Sequence, residues 1–410
     1  MEKVNSKISA LISPQYEKGN MKLGLSRIKK VLKELDNPCK NIPAIQVVGT
    51  NGKGSITAFL ESILFESKIK IGVTTSPHLF DITERIRVNK TNIDKSELEI
   101  IFKKIEKVLS TTELSPFEKI ICCALKFFDY KKVDLIILEA GLGGRLDATT
   151  AHKLRPIIAL GSIGFDHKEY LGDSIEKIAN EKIAVIQKNS IVISGNQNIK
   201  VKNLINKRVE EVGAKIIWKK SISNHFKLGL RGHFQKENAS VAIGVIEALN
   251  KSGFNVKEDS ISRGLEKTTW QGRLEIIRYL DKNILVDCAH NHPAAKALSK
   301  ERLTWKNQEK GIYWILGVQR QKDMFSILKT LIKKNDHLLL VPVPNQKSWK
   351  LKDFSNFEVS DSLKIIEFEN FEYALNYLSE LKDWPSCNPV IAGSIFLVAE
   401  FIKYANNQKY

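Results

Sequence analysis

The stretch Ile42–Leu60 leaves this chain few folds to choose from. Ile45 to Val48 is an apolar, β-branched run of the kind that forms a buried strand. Gly49-Thr50-Asn51-Gly52-Lys53-Gly54-Ser55 follows as a tight glycine-rich loop, and Ile56, Phe59, Leu60, Ile63 and Leu64 then recur at helical spacing. Strand, glycine loop and helix together make a phosphate cradle. The glycines let backbone N–H groups turn inward, and the helix N-terminus adds partial positive charge. Lys53 can reach terminal phosphates and Ser55 can offer its hydroxyl to Mg²⁺. The spacing departs from the common G-x-x-x-x-G-K-[ST] pattern: Val47 stands at the first glycine and Gly54 where Ser or Thr belongs. A plain glycine turn between strand and helix is the competing reading.

Three more strand ends carry chemistry. Ile69–Thr75 ends in Ser76-Pro77-His78-Leu79, and Ser76 falls where open α/β sheets place their ligands. A serine before proline is by itself an ordinary turn residue. Val133–Glu139 is apolar throughout, as in parallel sheets buried on both faces, and it ends in a carboxylate. An acidic residue at such a strand end beside a phosphate loop suits Mg²⁺ binding. Pro156–Ile163 is a further strand, with His167 just beyond it. A lone histidine is more often packed or exposed than a ligand, and imidazole is unusual for Mg²⁺.

Beyond Thr268-Thr269-Trp270-Gln271-Gly272-Arg273-Leu274-Glu275, which has the turn and aromatic chemistry of a hinge, strands and helices alternate again. Ile284–Asp287, Ile312–Val318, His337–Val343, Lys364–Phe368 and Pro389–Ala392 read as strands of a second parallel sheet. The expected fold is therefore α/β: an N-terminal P-loop ATPase-type domain with a mostly parallel sheet (1–268), a hinge (269–274), and a smaller Rossmann-like α/β domain (275–410).

Composition narrows the function classes. A chain of 410 residues is long for one core. It contains no apolar run long enough to span a membrane, and Met1–Ile12 is too polar for a signal peptide. The five cysteines lack Cys-x-x-Cys spacing and read as reduced thiols of a cytoplasmic protein. The net charge of +18 comes mostly from scattered lysines, with no arginine-rich tract or aromatic-basic stripe, so nucleic acid is not expected as a partner. Such a surface suits polyanionic small molecules. No Ser/His/Asp or Cys/His constellation suggests nucleophilic catalysis.

The motifs also carry a resemblance. Gly-Thr-Asn-Gly-Lys-Gly-Ser, Ser-Pro-His-Leu followed by Glu-Arg-Ile, Leu-Glu-x-Gly-Leu-Gly-Gly-Arg-Leu-Asp-Ala-Thr, and Asp-x-Ala-His-Asn occur in the order seen in the dihydrofolate synthase and folylpolyglutamate synthase family, a branch of the Mur ligases. The resemblance implies ATP-dependent ligation of L-glutamate to dihydropteroate or folate through an acyl phosphate, with one or two Mg²⁺ ions. A peptidoglycan-type Mur ligase acting on a UDP-sugar precursor is the alternative. A monomer with small-molecule partners only is expected.

The resemblance assigns roles residue by residue. Gly49, Thr50, Asn51, Gly52, Lys53, Gly54, Ser55, Asn238, Arg273 and Asp287 would bind ATP. Ser76, Glu139, His167, Ser55 and a carbamylated Lys182 would serve Mg²⁺. Lys53, Arg273, His290 and Lys182 would be catalytic. Leu23, Gly24 and Leu25, with Phe117 and Glu118, would line a pterin pocket; Leu146, Asp147, Ala148 and Ser394 would complete the substrate sites. Departures occur at Ser115-Pro116 before Phe117, at Gln271 where proline is usual, at Gln321 where aspartate is usual, and at the displaced His292-Pro293.

Overall fold

The computed structural model describes residues 23–109, 113–223, 226–354 and 364–408. Met1–Ile12, Met21 and Lys22 lie outside them. The chain divides into two compact units. The first comprises residues 1–229 and 235–269, the second 230–234 and 270–410. Leu230–Phe234 thus belongs with the second unit, which a single boundary near residue 268 does not anticipate.

The first unit is built on an eight-stranded sheet. Its strands are β1 (Ala44–Val48), β2 (Ile71–Thr74), β3 (Ile86–Val88), β4 (Thr91–Asn92), β5 (Leu135–Glu139), β6 (Ile157–Leu160), β7 (Ile191–Ser194) and β8 (Lys215–Trp218), in the order β4-β3-β2-β5-β1-β6-β7-β8. β2, β5, β1, β6, β7 and β8 run parallel to one another, and β3 and β4 add an antiparallel edge. Every residue of β1, β2, β5 and β6 is buried, because helices cover a parallel sheet on both faces. β1 is central, and its chain leaves toward β2 on one side while β6 continues away on the other. Ligands of open α/β sheets bind at such a switch point, outside the carboxyl ends of the strands.

The helix Lys53–Glu66 was expected to show one apolar face. Instead Gly54 through Leu64 are all buried, because the helix is enclosed by the sheet and by the helix Glu258–Glu266. Gly264 permits that packing: a Cβ there would lie 2.4 Å from the Ile63 Cα. The helix Pro116–Lys131 starts as its sequence suggests, with a capping box between Ser115 and Glu118 and proline in its first turn.

The second unit holds a six-stranded sheet in the order β13-β12-β11-β14-β10-β9. Its strands are β9 (Glu275–Tyr279), β10 (Lys282–Val286), β11 (Tyr313–Leu316), β12 (His337–Leu340), β13 (Lys364–Glu367) and β14 (Val390–Ala392). Five are parallel and β9 pairs antiparallel with β10. β9 is absent from the sequence reading. Its turn, Leu280-Asp281, takes positive φ at both residues (42° and 63°) without the glycine or asparagine that usually marks a two-residue hairpin.

A buried carboxylate organises this unit. Asp336 accepts from both Arg302 Nη atoms (2.7 and 3.1 Å), from Trp314 Nε1 (3.1 Å), and from the backbone N–H groups of Ile312 and Lys333. Arg302 and Trp314 are among the largest fully buried side chains. Removing one partner of such a pair strands a buried charge, so Asp336→Asn should cost about 3–5 kcal/mol, read as a lowered denaturant midpoint. A midpoint within error of the parent would contradict this account.

In the first unit, Gly264→Ala separates two effects. Helix propensity alone would stabilise by about 1 kcal/mol. The clash with the Ile63 backbone should instead destabilise by about 1–3 kcal/mol. A rise in thermal midpoint would show that the two helices are not in the contact described.

Candidate active site

The phosphate loop leaves the carboxyl end of β1 and is anchored to the loop after β6. The Thr50 and Asn51 N–H groups donate to the Ser162 carbonyl at 2.8 and 3.2 Å. The Thr50 hydroxyl donates to the Gly164 carbonyl (2.9 Å) and accepts from the Gly164 N–H (3.1 Å). Thr50 and Asn51 therefore brace the loop with their backbones. The amides available to an anion are those at the N-terminus of the helix Lys53–Glu66, which has no side-chain cap. Gly52 occupies the N-cap with φ 86°, a conformation that favours glycine. Asn238 presses on it: a Cβ at Gly52 would lie 2.5 Å from the Asn238 Oδ1. Asn238 is itself held by donating to Gln235 Oε1 at 2.9 Å.

Two lysines meet on this loop. Lys53 Nζ donates to the carbonyls of Gly49 (3.1 Å) and Thr50 (3.2 Å), and Lys182 Nζ donates to the same Gly49 oxygen at 3.0 Å. Lys182 is buried at the end of the helix Ile175–Ile183. Burial first, and the neighbouring Lys53 charge second, bring its pKa down to about 7; Asp166 and Asp147 oppose the shift. Asp166 was not assigned a role from the sequence. It is buried, accepts the His167 N–H at 2.9 Å, and lies near enough to Lys182 to act on its charge. Its adjacency to His167 was the only signal available.

The candidate metal ligands are partly joined. The Ser76 N–H donates to Glu139 Oε2 at 3.4 Å, placing the ends of β2 and β5 side by side. His167 lies beyond β6 with its ring 3.7 Å from Asp166 and 3.8 Å from Glu169. No three His, Cys, Asp or Glu side chains among the described residues form a metal cage of their own. A hydroxyl and a carboxylate at adjacent strand ends still fit Mg²⁺, which takes few protein oxygens and completes its shell with water and phosphate.

The Ser76 loop has supports that the sequence did not reveal. The Glu84 carboxylate accepts the N–H groups of Leu79, Phe80 and Asp81 at 2.7, 2.8 and 2.7 Å. Arg85 Nε donates to His78 Nδ1 at 2.9 Å. Burial and the Arg85 charge push His78 down to about 4, so it is a neutral acceptor. Arg87 forms a buried ion pair with Glu61 at 2.7 Å.

The expected pterin-side residues also gather. Arg27, on the helix Ser26–Glu34, pairs with Glu118 at 3.2 Å, and Leu25 and Phe117 pack against the same hydrophobic cluster. The Phe117 ring lies where a Cβ of Gly141 would be, at 2.9 Å. Glu118 is buried, and its Oε1 has no hydrogen-bond partner among the described residues. Leu23 is exposed, and a Cβ at Gly24 would meet nothing within 4 Å, so neither is placed in a formed wall. Asp147 behaves differently from a free substrate ligand. It accepts from the N–H groups of Gly141 (2.9 Å), Leu142 (2.9 Å) and Thr149 (3.0 Å) and from the Thr149 hydroxyl, so its carboxylate shapes the loop that carries Leu146 and Ala148.

In the second unit, Asp287 accepts from the N–H groups of Leu274 (2.9 Å) and Ala289 (2.8 Å). Burial pushes its pKa up; the charges of Arg273 and His290, and those N–H groups, oppose the rise. His290 and Arg273 thus both lie near Asp287. His290 Nδ1 is 2.8 Å from the Cys288 carbonyl, an acceptor that calls for a proton on Nδ1. The His292-Pro293 displacement leaves the helix start intact, with Asn291 as N-cap. Ser394 is buried and its hydroxyl caps the helix Ile395–Asn407 by accepting the Phe396 N–H at 3.2 Å. The expected hinge is also tied down. Cys288 N–H donates to the Gly272 carbonyl, and Gly272 N–H to Glu275, at 2.9 and 2.8 Å. Residues 272 to 274 are therefore part of the second unit's fabric.

Comparison with known proteins agrees with this layout. A family model described as dihydrofolate synthetase, C-terminal domain, matches residues 273–404. A dihydrofolate synthase/folylpolyglutamate synthase of Buchnera aphidicola subsp. Acyrthosiphon pisum (strain APS) is 33% identical over 374 residues, covering 87% of this chain and 88% of the relative. The structure of Escherichia coli FolC in complex with DHPP and ADP superposes with a TM-score of 0.86 at 25% identity, over 99% of this chain and 98% of that one. A bifunctional folylpolyglutamate synthase/dihydrofolate synthase with Mn, AMPPNP and L-glutamate bound gives 0.85 at 26% identity, over 98% of each chain. With its phosphate loop, strand-end carboxylate and second α/β unit in place, the chain belongs to the dihydrofolate synthase/folylpolyglutamate synthase family.

Proposed function

We propose that this protein joins L-glutamate to the carboxylate of dihydropteroate or of a folate, using ATP and a divalent cation. The observation that carries the reading is the phosphate loop itself. An uncapped helix N-terminus and Lys53 converge on one short backbone segment, and the Lys182 amine, its pKa lowered to about 7, meets the same Gly49 oxygen. Such a concentration of positive charge calls for a polyanion, and ATP supplies one.

The chemistry follows from the residues. The acceptor carboxylate attacks the γ-phosphate, ADP leaves, and an acyl phosphate results. The α-amine of glutamate then displaces phosphate and loses its proton, giving the amide. Each step concentrates anionic oxygen, so fixed cations and N–H dipoles lower the barrier. Lys53 and the Gly52–Ser55 amides hold the phosphates. Arg273 is the candidate for charge on the transferring phosphoryl group, and His290 is the candidate catalytic imidazole of the second unit. Ser55, Ser76, Glu139 and His167 would hold the cation, which neutralises phosphate oxygens. Lys182, with its pKa near 7, exists substantially as the free amine that carbamylation requires. The unpartnered Glu118 Oε1 favours a ligand with N–H donors, as on an aminopterin ring. The protein acts as a cytoplasmic monomer on small molecules in this reading.

The direct test is incubation with ATP, Mg²⁺, radiolabelled glutamate and either dihydropteroate or tetrahydrofolate, scoring ADP and the amide product. A UDP-sugar peptide precursor serves as the competing acceptor. Product with the pteroate or folate only is expected; product only with the sugar precursor sinks the reading. Lys53→Ala should lower turnover by at least about a hundredfold, as loss of a preorganised charge does, with the thermal midpoint unchanged. Turnover near the parent's would mean that the cradle is misassigned.

Gly52→Ala tests the loop conformation. A non-glycine residue at this φ costs about 1–2 kcal/mol, and its Cβ meets Asn238. Nucleotide affinity should fall, and Asn238→Ala in the same chain should restore part of it. Equal loss in the single and double variants would show that the contact has no bearing on the loop.

A further inference from the structure

The second unit contains a cavity of about 440 Å³ that the reading above does not use. Its floor borders Asp287, since the Leu274 N–H donates to that carboxylate at 2.9 Å, while its Asn388 wall stands at the end of β14 away from Ser394. Leu285 on its floor pairs with Val390, the first residue of β14, and Asn388 on its wall precedes that strand. Ser394 follows the other end of β14.

The cavity is built from braced parts. Its floor is apolar, from Leu274, Ile276 and Leu285. One wall is the Trp305 indole, supported by the buried Trp314 ring at 6.2 Å between centroids. Two segments of the rim are tied together where Asn307 Nδ2 donates to the Ser386 carbonyl at 3.1 Å. The one carboxylate in the lining, Glu301, is already engaged: its Oε2 accepts the His233 N–H at 2.8 Å and lies 3.0 Å from His233 Nδ1. Two cations of the lining, Arg231 and Lys306, make no ion pair or hydrogen bond among the described residues.

An apolar floor, an aromatic wall and two uncommitted cations recognise a particular chemistry. We infer that this cavity is a second ligand site, for a flat molecule of one or two rings bearing a carboxylate. The volume is in the range of small-molecule sites. The ring would lie against Trp305 and the Leu285 floor, with its carboxylate toward Arg231 and Lys306. Glu301 Oε2 is turned to the His233 N–H that it accepts. The inference rests on the cavity alone and is independent of the ligase reading.

The probe is 2-naphthoate, titrated calorimetrically into the full-length protein, with neutral 2-naphthamide as control. One equivalent of naphthoate should bind, more tightly than the amide. The double variant Arg231→Gln/Lys306→Gln should weaken naphthoate by at least about tenfold, the scale of a lost charge-assisted contact, while leaving the amide unchanged. Asn388→Trp, which fills the cavity, should weaken both. Circular dichroism melts confirm that each variant folds. Neither change touches the phosphate loop, so naphthoate bound there would bind the variants normally. No saturable binding to the parent protein, or unchanged affinity in either variant, overturns the inference.

Discussion

Two lysine Nζ atoms donate to one backbone oxygen, that of Gly49, and charges from elsewhere in the first unit act on the buried one. Like charges so close raise each other's cost, and burial of Lys182 raises it further. The opposing charges come from different parts of the chain: Asp166 after β6 and Asp147 after β5. The parallel sheet brings these loops to one side, because every connection returns to the same end before the next strand begins. Asp147 is buried among backbone donors, and Thr50 is stitched to Gly164, so the partners cannot drift to relieve the repulsion. A polyphosphate bound as proposed would relieve it instead. The loop is thus held in a state that an anion stabilises.

Much of this was legible in the sequence, and the reasons differ by element. β1, β5 and β6 announce themselves because strands buried on both faces must be continuously apolar. The phosphate loop is legible because glycine and lysine at that spacing have few other uses. Ser76 and Glu139 were read at strand ends and linked through the resemblance, and the Ser76 N–H donates to the Glu139 carboxylate. What stayed hidden depends on partners far away in the chain. Nothing near Asn238 indicates that it packs on Gly52. Asp147 looks like a ligand until its four internal donors are counted. The buried Arg155 is satisfied by Gln46, the His152 and Val185 carbonyls, and Gln187, a set assembled only by the fold.

The two units solve the problem of buried charge in different ways. The first concentrates charge at the strand ends, where a ligand can complete it. The second encloses it: Asp336 is surrounded by an arginine, an indole and two backbone donors, with no role left for a ligand. Its equivalent strand-end residues are likewise committed, since Ser394 and Asn291 cap helices. Arg273 and His290 stand out there because they lie beside the buried Asp287, whose own pKa their charges oppose raising.

The short segment Leu230–Phe234 has a consequence for how this chain can be taken apart. Because it is counted with the second unit while Gln235–Thr269 returns to the first, the polypeptide passes from one unit to the other three times. Neither unit is a contiguous stretch of sequence. A fragment beginning at Trp270 would carry Glu301 without His233, leaving a buried carboxylate stripped of the ring and the backbone N–H that hold it. The two halves are therefore not interchangeable modules. Swapping the C-terminal half with that of a relative would require the five-residue strap to be exchanged along with it.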